Sequence, residues 1–502
     1  MASSWPPGPA APGEGTALLG DSGDPGDPGA GGPPRPGLLR AVSRWQIVAL
    51  VLNDVIGSGV YLLPAGAAAL LGGASVGAVV LAGAAVLLVV LCFAEAASHF
   101  DQPGSAYLYA REAFGELVGF EVGWMTWLAR VASVASLAVA FAQALGYLWP
   151  EARAGWGREA AIVLPVLGLT AVNVVGIRSG VRTAVLLAVA KIVPLLLFVV
   201  AGTVFALRAG VGAGAVAGSV GGAGAAGGAL AAGRGLAGGA AAAAAGGSPG
   251  WHQIGAAALL LLYAYAGFEN TAAAAGEYKN PRRDVPFALL AQIGFVTLLY
   301  AWVQWVALAT LPGLAASATP LADAARRFLG DWGGWLLTLG ATLSILGTNG
   351  NTVLTGPRYL FALAQGGYGP RLLAAVHPRF RTPAVAVVAQ TAIALPLALS
   401  GTFTGLAALS VVARLATYLG TAAAVPVLRR KLGSRPGAFR LPGGPLVPVA
   451  AALLCVVFAA SATGRDLVAG AAALAVGLVV WKLRRRAPGG SEGTPGPVGQ
   501  EG

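Results

Sequence analysis

Residues 51–65 read VLNDVIGSGVYLLPA. They lie in an apolar run long enough to cross a hydrocarbon layer. Gly57-Ser58-Gly59 interrupts that run, with Asp54 just before it and Pro64 just after. A helix in lipid satisfies its own backbone, and an N–H left unpaired there costs several kcal/mol. A break therefore persists only where it lines a cavity or holds a ligand. Small residues that merely let helices approach are the competing explanation for Gly57 and Gly59.

A second interruption decides between the two. Residues 263–286, YAYAGFENTAAAAGEYKNPRRDVP, carry Gly267 at mid-run, followed at once by Glu269 and Asn270. Paired breaks in corresponding spans of two halves point to a transporter binding site. N–H groups at the start of a half-helix bear partial positive charge and suit a carboxylate. Free carbonyls at the facing ends suit an ammonium. A site so built holds both ends of an amino acid.

The rest of the chain agrees with a membrane setting. Of 502 residues, 56% are hydrophobic and only 10% charged, and mean hydropathy is +0.73. A soluble chain of this length needs far more charge on its surface. Apolar runs delimit about twelve candidate spans: roughly 45–71, 74–97, 117–148, 158–176, 183–207, 252–275, 285–311, 332–364, 383–400, 404–428, 446–463 and 466–483. Residues 1–40 and 487–502 are Pro- and Gly-rich and read as disordered tails flanking a transporter domain at 41–486. Residues 208–250 form a Gly/Ala-rich insert between spans five and six, on the outer side. Its Gly222, Gly224 and Gly227 fit GxGxxG by spacing, but no strand, helix or acid accompanies them, so low complexity is the better reading.

Net charge is +12, and the pI is near 10.1. Lys and Arg are about threefold more abundant on the side that holds both termini, which predicts cytoplasmic termini and leaves no need for a nucleic-acid partner. Cys92 and Cys455 both lie in apolar runs and read as buried hydrophobes. His99, His252 and His377 are scattered. No metal-ligand spacing, cofactor motif or nucleophile–base pair stands out, so neither a metal, a cofactor nor an intramembrane enzyme is expected. A channel would show a polar stripe along one helix face; here the polar groups gather at the breaks instead.

Several stretches carry a family resemblance: IGSGVYLLPA at 56–65, FDQPGSAYLYAREAFGELVGFEVGW at 100–124, YAGFENTAAAAGEYKNPRRDVPFAL at 265–289, GPRYLFALAQGGYGP at 356–370 and AFRLPGGPLVPV at 438–449. In type, order and spacing the sequence resembles the amino acid–polyamine–organocation transporters over about residues 40–480. The resemblance implies an all-α membrane protein of the LeuT fold. It implies twelve transmembrane helices: an inverted repeat of spans 1–5 and 6–10 with helices one and six broken, and two peripheral helices. The implied activity is amino acid transport by alternating access, by proton symport or by exchange. A neutral amino acid is the leading substrate, and an amino acid/amine antiporter is the alternative.

Site residues follow from the same resemblance. The substrate carboxylate is expected on the N–H groups of Gly57, Ser58 and Gly59. The amino group is expected on carbonyls around Val55, Ile56, Ala264 and Tyr265, beside the Gly267 break. Tyr263 falls where the family places an aromatic outer gate, and packing alone is its other reading. Lys191 falls where several members set a lysine in place of sodium, bridging spans one and eight; snorkelling to the nearby membrane face is the alternative. Glu269 is an acid inside a span and reads either as a proton carrier or as a structural acceptor for freed N–H groups. Asp54 and Arg130 are departures from the family's arginine antiporters. A buried Asp54–Arg130 pair is the favoured reading, with Asp54 on a cationic substrate or in proton coupling as the alternatives. Asn351 stands where those antiporters stack a tryptophan on guanidinium, which argues against arginine as substrate. Arg414 and Tyr418 in span ten are placed along the path by position.

Overall fold

The structure, a computed structural model, describes residues 42–100, 105–175, 181–210, 250–433, 438–441 and 443–485. Both expected tails, nearly all of the 208–250 insert and its glycine motif lie outside the described residues.

The described chain is helical. In order the helices are α1 (Arg44–Val55), α2 (Gly59–Leu71), α3 (Ser75–Ser98), α4 (Ser105–Phe114), α5 (Glu116–Leu145), α6 (Gly155–Val175), α7 (Val181–Arg208) and α8 (Trp251–Tyr265). There follow a 3₁₀ segment (Phe268–Glu277), α9 (Pro281–Thr310), α10 (Pro320–Leu329), α11 (Asp331–Gln365), α12 (Ala384–Ser400), α13 (Phe403–Leu432), α14 (Leu446–Ala460) and α15 (Gly464–Arg485). Among the described residues, seven helical stretches are long and apolar enough to cross a membrane: Gly59–Ser98, Glu116–Leu145, Gly155–Val175, Val185–Arg208, Pro281–Thr310, Phe403–Leu432 and Gly464–Leu483. Ala384–Ser400 and Leu446–Ala460 are apolar but shorter. The protein is a multi-pass membrane protein.

Its outer faces show the same thing. Leu81, Leu186, Leu298 and Val468 are all exposed, a distribution suited to lipid and not to water. Exposed Trp45, Trp156, Trp332 and Trp335 stand at helix starts, where amphipathic rings meet a membrane–water boundary.

Lipid gives no hydrophobic drive between helices, so small residues and interhelical hydrogen bonds hold them. Thr126 meets Thr417 at 2.9 Å, Thr170 meets Thr391 at 2.8 Å, and Gln304 donates to Ser75 at 2.9 Å. In α5, 83% of the apolar stretch is buried, against 6% in α15. The third expected span therefore runs through the centre and the last lies at the rim. Around α5 pack α11, α13, α12 and α6, and α3 packs on α9.

Both interruptions are real breaks in helix. α1 ends at Val55, Ile56 is extended (φ −75°, ψ 92°), and α2 starts at Gly59. α8 ends at Tyr265, Ala266 is extended (φ −71°, ψ 150°), and Gly267 takes φ +128° before the 3₁₀ segment. The lower half of the second break is thus 3₁₀ rather than α. The chain just before α1 is tied to the end of that segment: Val42 and Tyr278 form a parallel bridge, and Lys279 N–H donates to Val42 O at 3.1 Å.

Candidate functional site

The two breaks interlock through glycine. A Cβ on Gly59 would stand 2.7 Å from Ala264 Cα. One on Gly267 would stand 2.9 Å from the Asp54 carbonyl oxygen, and φ +128° is itself a conformation that disfavours any side chain. Only bare backbone lets α1–α2 and α8 approach this closely.

A cavity opens where they meet, with an empty volume of about 420 Å³, part of it open to solvent. The first break contributes Asp54, Val55, Ser58 and Gly59, and the second contributes Tyr263, Ala266, Gly267 and Asn270. The opposite wall is Arg130, Ser133 and Leu137 from α5, Thr348, Asn351 and Thr352 from α11, and Arg414 from α13. The fourteen expected site residues do not behave alike. Asp54, Val55, Ser58, Gly59, Arg130, Tyr263, Gly267 and Asn351 line the cavity; Ile56, Gly57, Ala264, Tyr265, Lys191 and Glu269 stand behind its wall.

The backbone at the first break is divided between two uses. Among the described residues, no protein acceptor is hydrogen-bonded to the N–H of Gly57, Ser58 or Gly59, the orphan donors of a helix start. The carbonyls are already engaged. Ile56 O accepts from Lys191 Nζ (3.1 Å), Ser344 Oγ (2.9 Å) and Thr348 Oγ1 (3.2 Å). Val55 O and Ala264 O both accept from Tyr300 OH, at 3.3 Å each. Tyr265 is fully buried and spends its hydroxyl on Val79 O at 2.9 Å. The expected ammonium-binding carbonyls are thus mostly occupied by α7, α9 and α11, and Val55 alone of the four lines the cavity.

Lys191 is completely buried. Its Nζ donates to Asn53 O (2.7 Å), Ile56 O (3.1 Å) and Thr348 Oγ1 (2.8 Å). That uses all three ammonium protons and places the charge between α1 and α11. Snorkelling is incompatible with this geometry.

The charge pairing differs from the favoured expectation. Arg130 does not pair with Asp54. Its Nη2 donates to Glu269 Oε1 at 2.7 Å, and Arg414 Nη1 pairs with the same oxygen. Glu269 Oε2 accepts Gly267 N–H at 2.9 Å and Tyr418 OH at 3.2 Å. The physical reason is local. Glu269 caps the N–H freed at Gly267, which turns its carboxylate toward α5 and α13, where both guanidiniums converge. Asp54 instead accepts from the side-chain amides of Asn351 and, at 3.5 Å, Asn270. Tyr418 supports Glu269 from behind and stacks on Phe268 with centroids 5.3 Å apart, whereas Arg414 reaches the cavity.

Tyr263 closes one side. Its hydroxyl lies 2.6 Å from Ser136 Oγ and 3.4 Å from Ser58 Oγ, and its ring meets Phe403 edge-on at 5.9 Å. A second hydroxyl group of contacts joins Ser133 to Ser410 (2.8 Å) and to Arg414 Nη2 (2.7 Å).

Ser133, Ser136, Thr348, Thr352 and Tyr300 are site residues that sequence reasoning missed. Thr348, Asn351 and Thr352 recur at i, i+3 and i+4, a polar stripe on one face of an apolar helix, and Ser133 with Ser136 repeats the spacing. That periodicity was a usable signal; nothing in the sequence singled out Tyr300.

Against this geometry the amino acid permease family profile matches residues 42–480. The chain belongs to the amino acid permease family. It is thereby a member of the amino acid–polyamine–organocation superfamily, as the motifs implied. The permease is 28% identical over 428 residues to a serine/threonine exchanger, SteT, of Bacillus subtilis, covering 83% of this chain and 89% of that protein. It is 26% identical over 467 residues to the branched-chain amino acid permease BcaP of the same organism, covering 89% and 94%. A methylthioribose transporter, also from Bacillus subtilis, is 26% identical over 471 residues. These relatives are transporters, and they make amino acid transport the class of activity here.

Proposed function

We propose that the permease is a secondary transporter of the cytoplasmic membrane that moves a neutral amino acid by alternating access without sodium. The reading includes twelve spans with both termini cytoplasmic, α1–α2 and α8 with its 3₁₀ extension being the broken first and sixth. Spans 1–5 and 6–10 are then the inverted repeat, and α14 and α15 are peripheral. One observation carries it: the start of α2 presents the unpaired N–H groups of Gly57, Ser58 and Gly59, while a buried lysine ammonium holds the adjoining carbonyls. The donors suit a carboxylate. The fixed Lys191 charge stands at a helix junction and removes the need for a bound cation there.

The substrate ammonium then faces Asp54 and the Val55 carbonyl across the cavity, and Tyr263 serves as the outer gate. Protons are the natural coupling partner if transport is not simple exchange. The amine-antiporter alternative draws on Asp54, among the described residues the one carboxylate that lines the cavity. Counterflow of labelled amino acids into proteoliposomes tests the reading. Saturable uptake lost in Gly57→Leu supports it. Uptake by that variant at the normal rate removes the carboxylate assignment, and uptake of amines alone favours the alternative.

A further inference from the structure

Two residues that line the cavity each keep a buried polar atom with no protein partner among the described residues, and the two atoms are complementary. Arg130 is buried and uses Nη2 on Glu269, but its Nε–H donates to nothing. Asn270 is buried and turns Nδ2 toward Asp54, but its Oδ1 accepts nothing. Both residues line the cavity. Buried donors and acceptors are ordinarily satisfied, and an unpartnered one in a native site calls for a ligand or water. The remaining wall is also polar, with Ser133, Thr352 and Asn351 beside them and few apolar side chains.

Resting on the transporter reading, we infer that Arg130 and Asn270 form a side-chain subsite for an amino acid ending in a neutral group that both donates and accepts a hydrogen bond, a hydroxyl or carboxamide. Such a group takes the Arg130 Nε–H and gives a proton to Asn270 Oδ1. An aliphatic side chain leaves both atoms buried and unpaired, which is what allows polar sites to reject apolar isosteres strongly. A carboxylate side chain satisfies Arg130 but meets the Asn270 oxygen and Asp54 with like charge.

Isosteric pairs test this in the full-length protein. In counterflow, threonine is compared with valine and asparagine with leucine, with aspartate as a third arm. The inference predicts that each polar member competes roughly tenfold or more tightly than its isostere, and that asparagine outcompetes aspartate. In Asn270→Leu the threonine/valine ratio falls toward unity; Arg130→Lys, which keeps the charge, also narrows the ratio. Valine equal to or better than threonine overturns the inference, as does aspartate above asparagine. If no amino acid is carried at all, the transporter reading fails first. The wild-type ratio decides the matter even if a variant does not fold.

Discussion

Glu269 shares one carboxylate between the guanidiniums of Arg130 and Arg414, all three buried. Removing Arg130 leaves a one-to-one pair; removing Glu269 leaves two unpaired cations. Breaking a buried pair costs about 3–5 kcal/mol. Glu269→Gln is therefore expected to lower Tm in detergent well below that of Arg130→Met, as measured by scanning fluorimetry. Equal losses would place the pairing elsewhere. Lys191→Met removes the one cation that bridges Asn53, Ile56 and Thr348. Initial uptake rates should fall at least about tenfold, since buried carbonyls lose a charged donor, and added sodium should not restore them. At this scale the sequence was only half legible. Five charges inside spans announced themselves by their cost in lipid, but their partners depend on helix rotation. The carboxylate that caps Gly267 N–H faces Arg130, and Asp54 is left to two amides.

The breaks are the elements that define the site, and their positions were readable because glycine and acid rarely coincide within a membrane span. What the sequence did not disclose is how closely they meet. Gly59 lies against Ala264 backbone and Gly267 against Asp54 backbone. A methyl at either position must displace main chain, not a flexible side chain. Gly267→Ala adds a positive φ to that clash, for which we expect about 1–3 kcal/mol of destabilisation and at least tenfold weaker substrate binding, readable by thermal shift with and without ligand. On the carbonyl side, the sequence did not show that Tyr300, Ser344 and Thr348 come from distant helices to hydrogen-bond those oxygens. The donor side keeps its free N–H groups, so bound amino acid should slow amide hydrogen exchange across residues 57–60 and leave α15 unchanged. Equal exchange with and without substrate would contradict a carboxylate seated at the start of α2.

For the whole molecule, composition and the succession of apolar runs were enough to read a helical membrane protein, because hydrocarbon admits few backbone solutions. The centrality of α5 needed coordinates, since its apolar run alone does not set it apart from the other helices. The central claim is that a broken-helix pair, clamped by a fixed lysine charge, carries an amino acid without sodium. It is tested most directly by counterflow of labelled threonine and other amino acids into proteoliposomes, run in sodium-free and sodium-containing media. The account predicts saturable uptake of equal rate in both media, abolished by Gly57→Leu. Uptake that requires sodium, or that persists in Gly57→Leu, would contradict it.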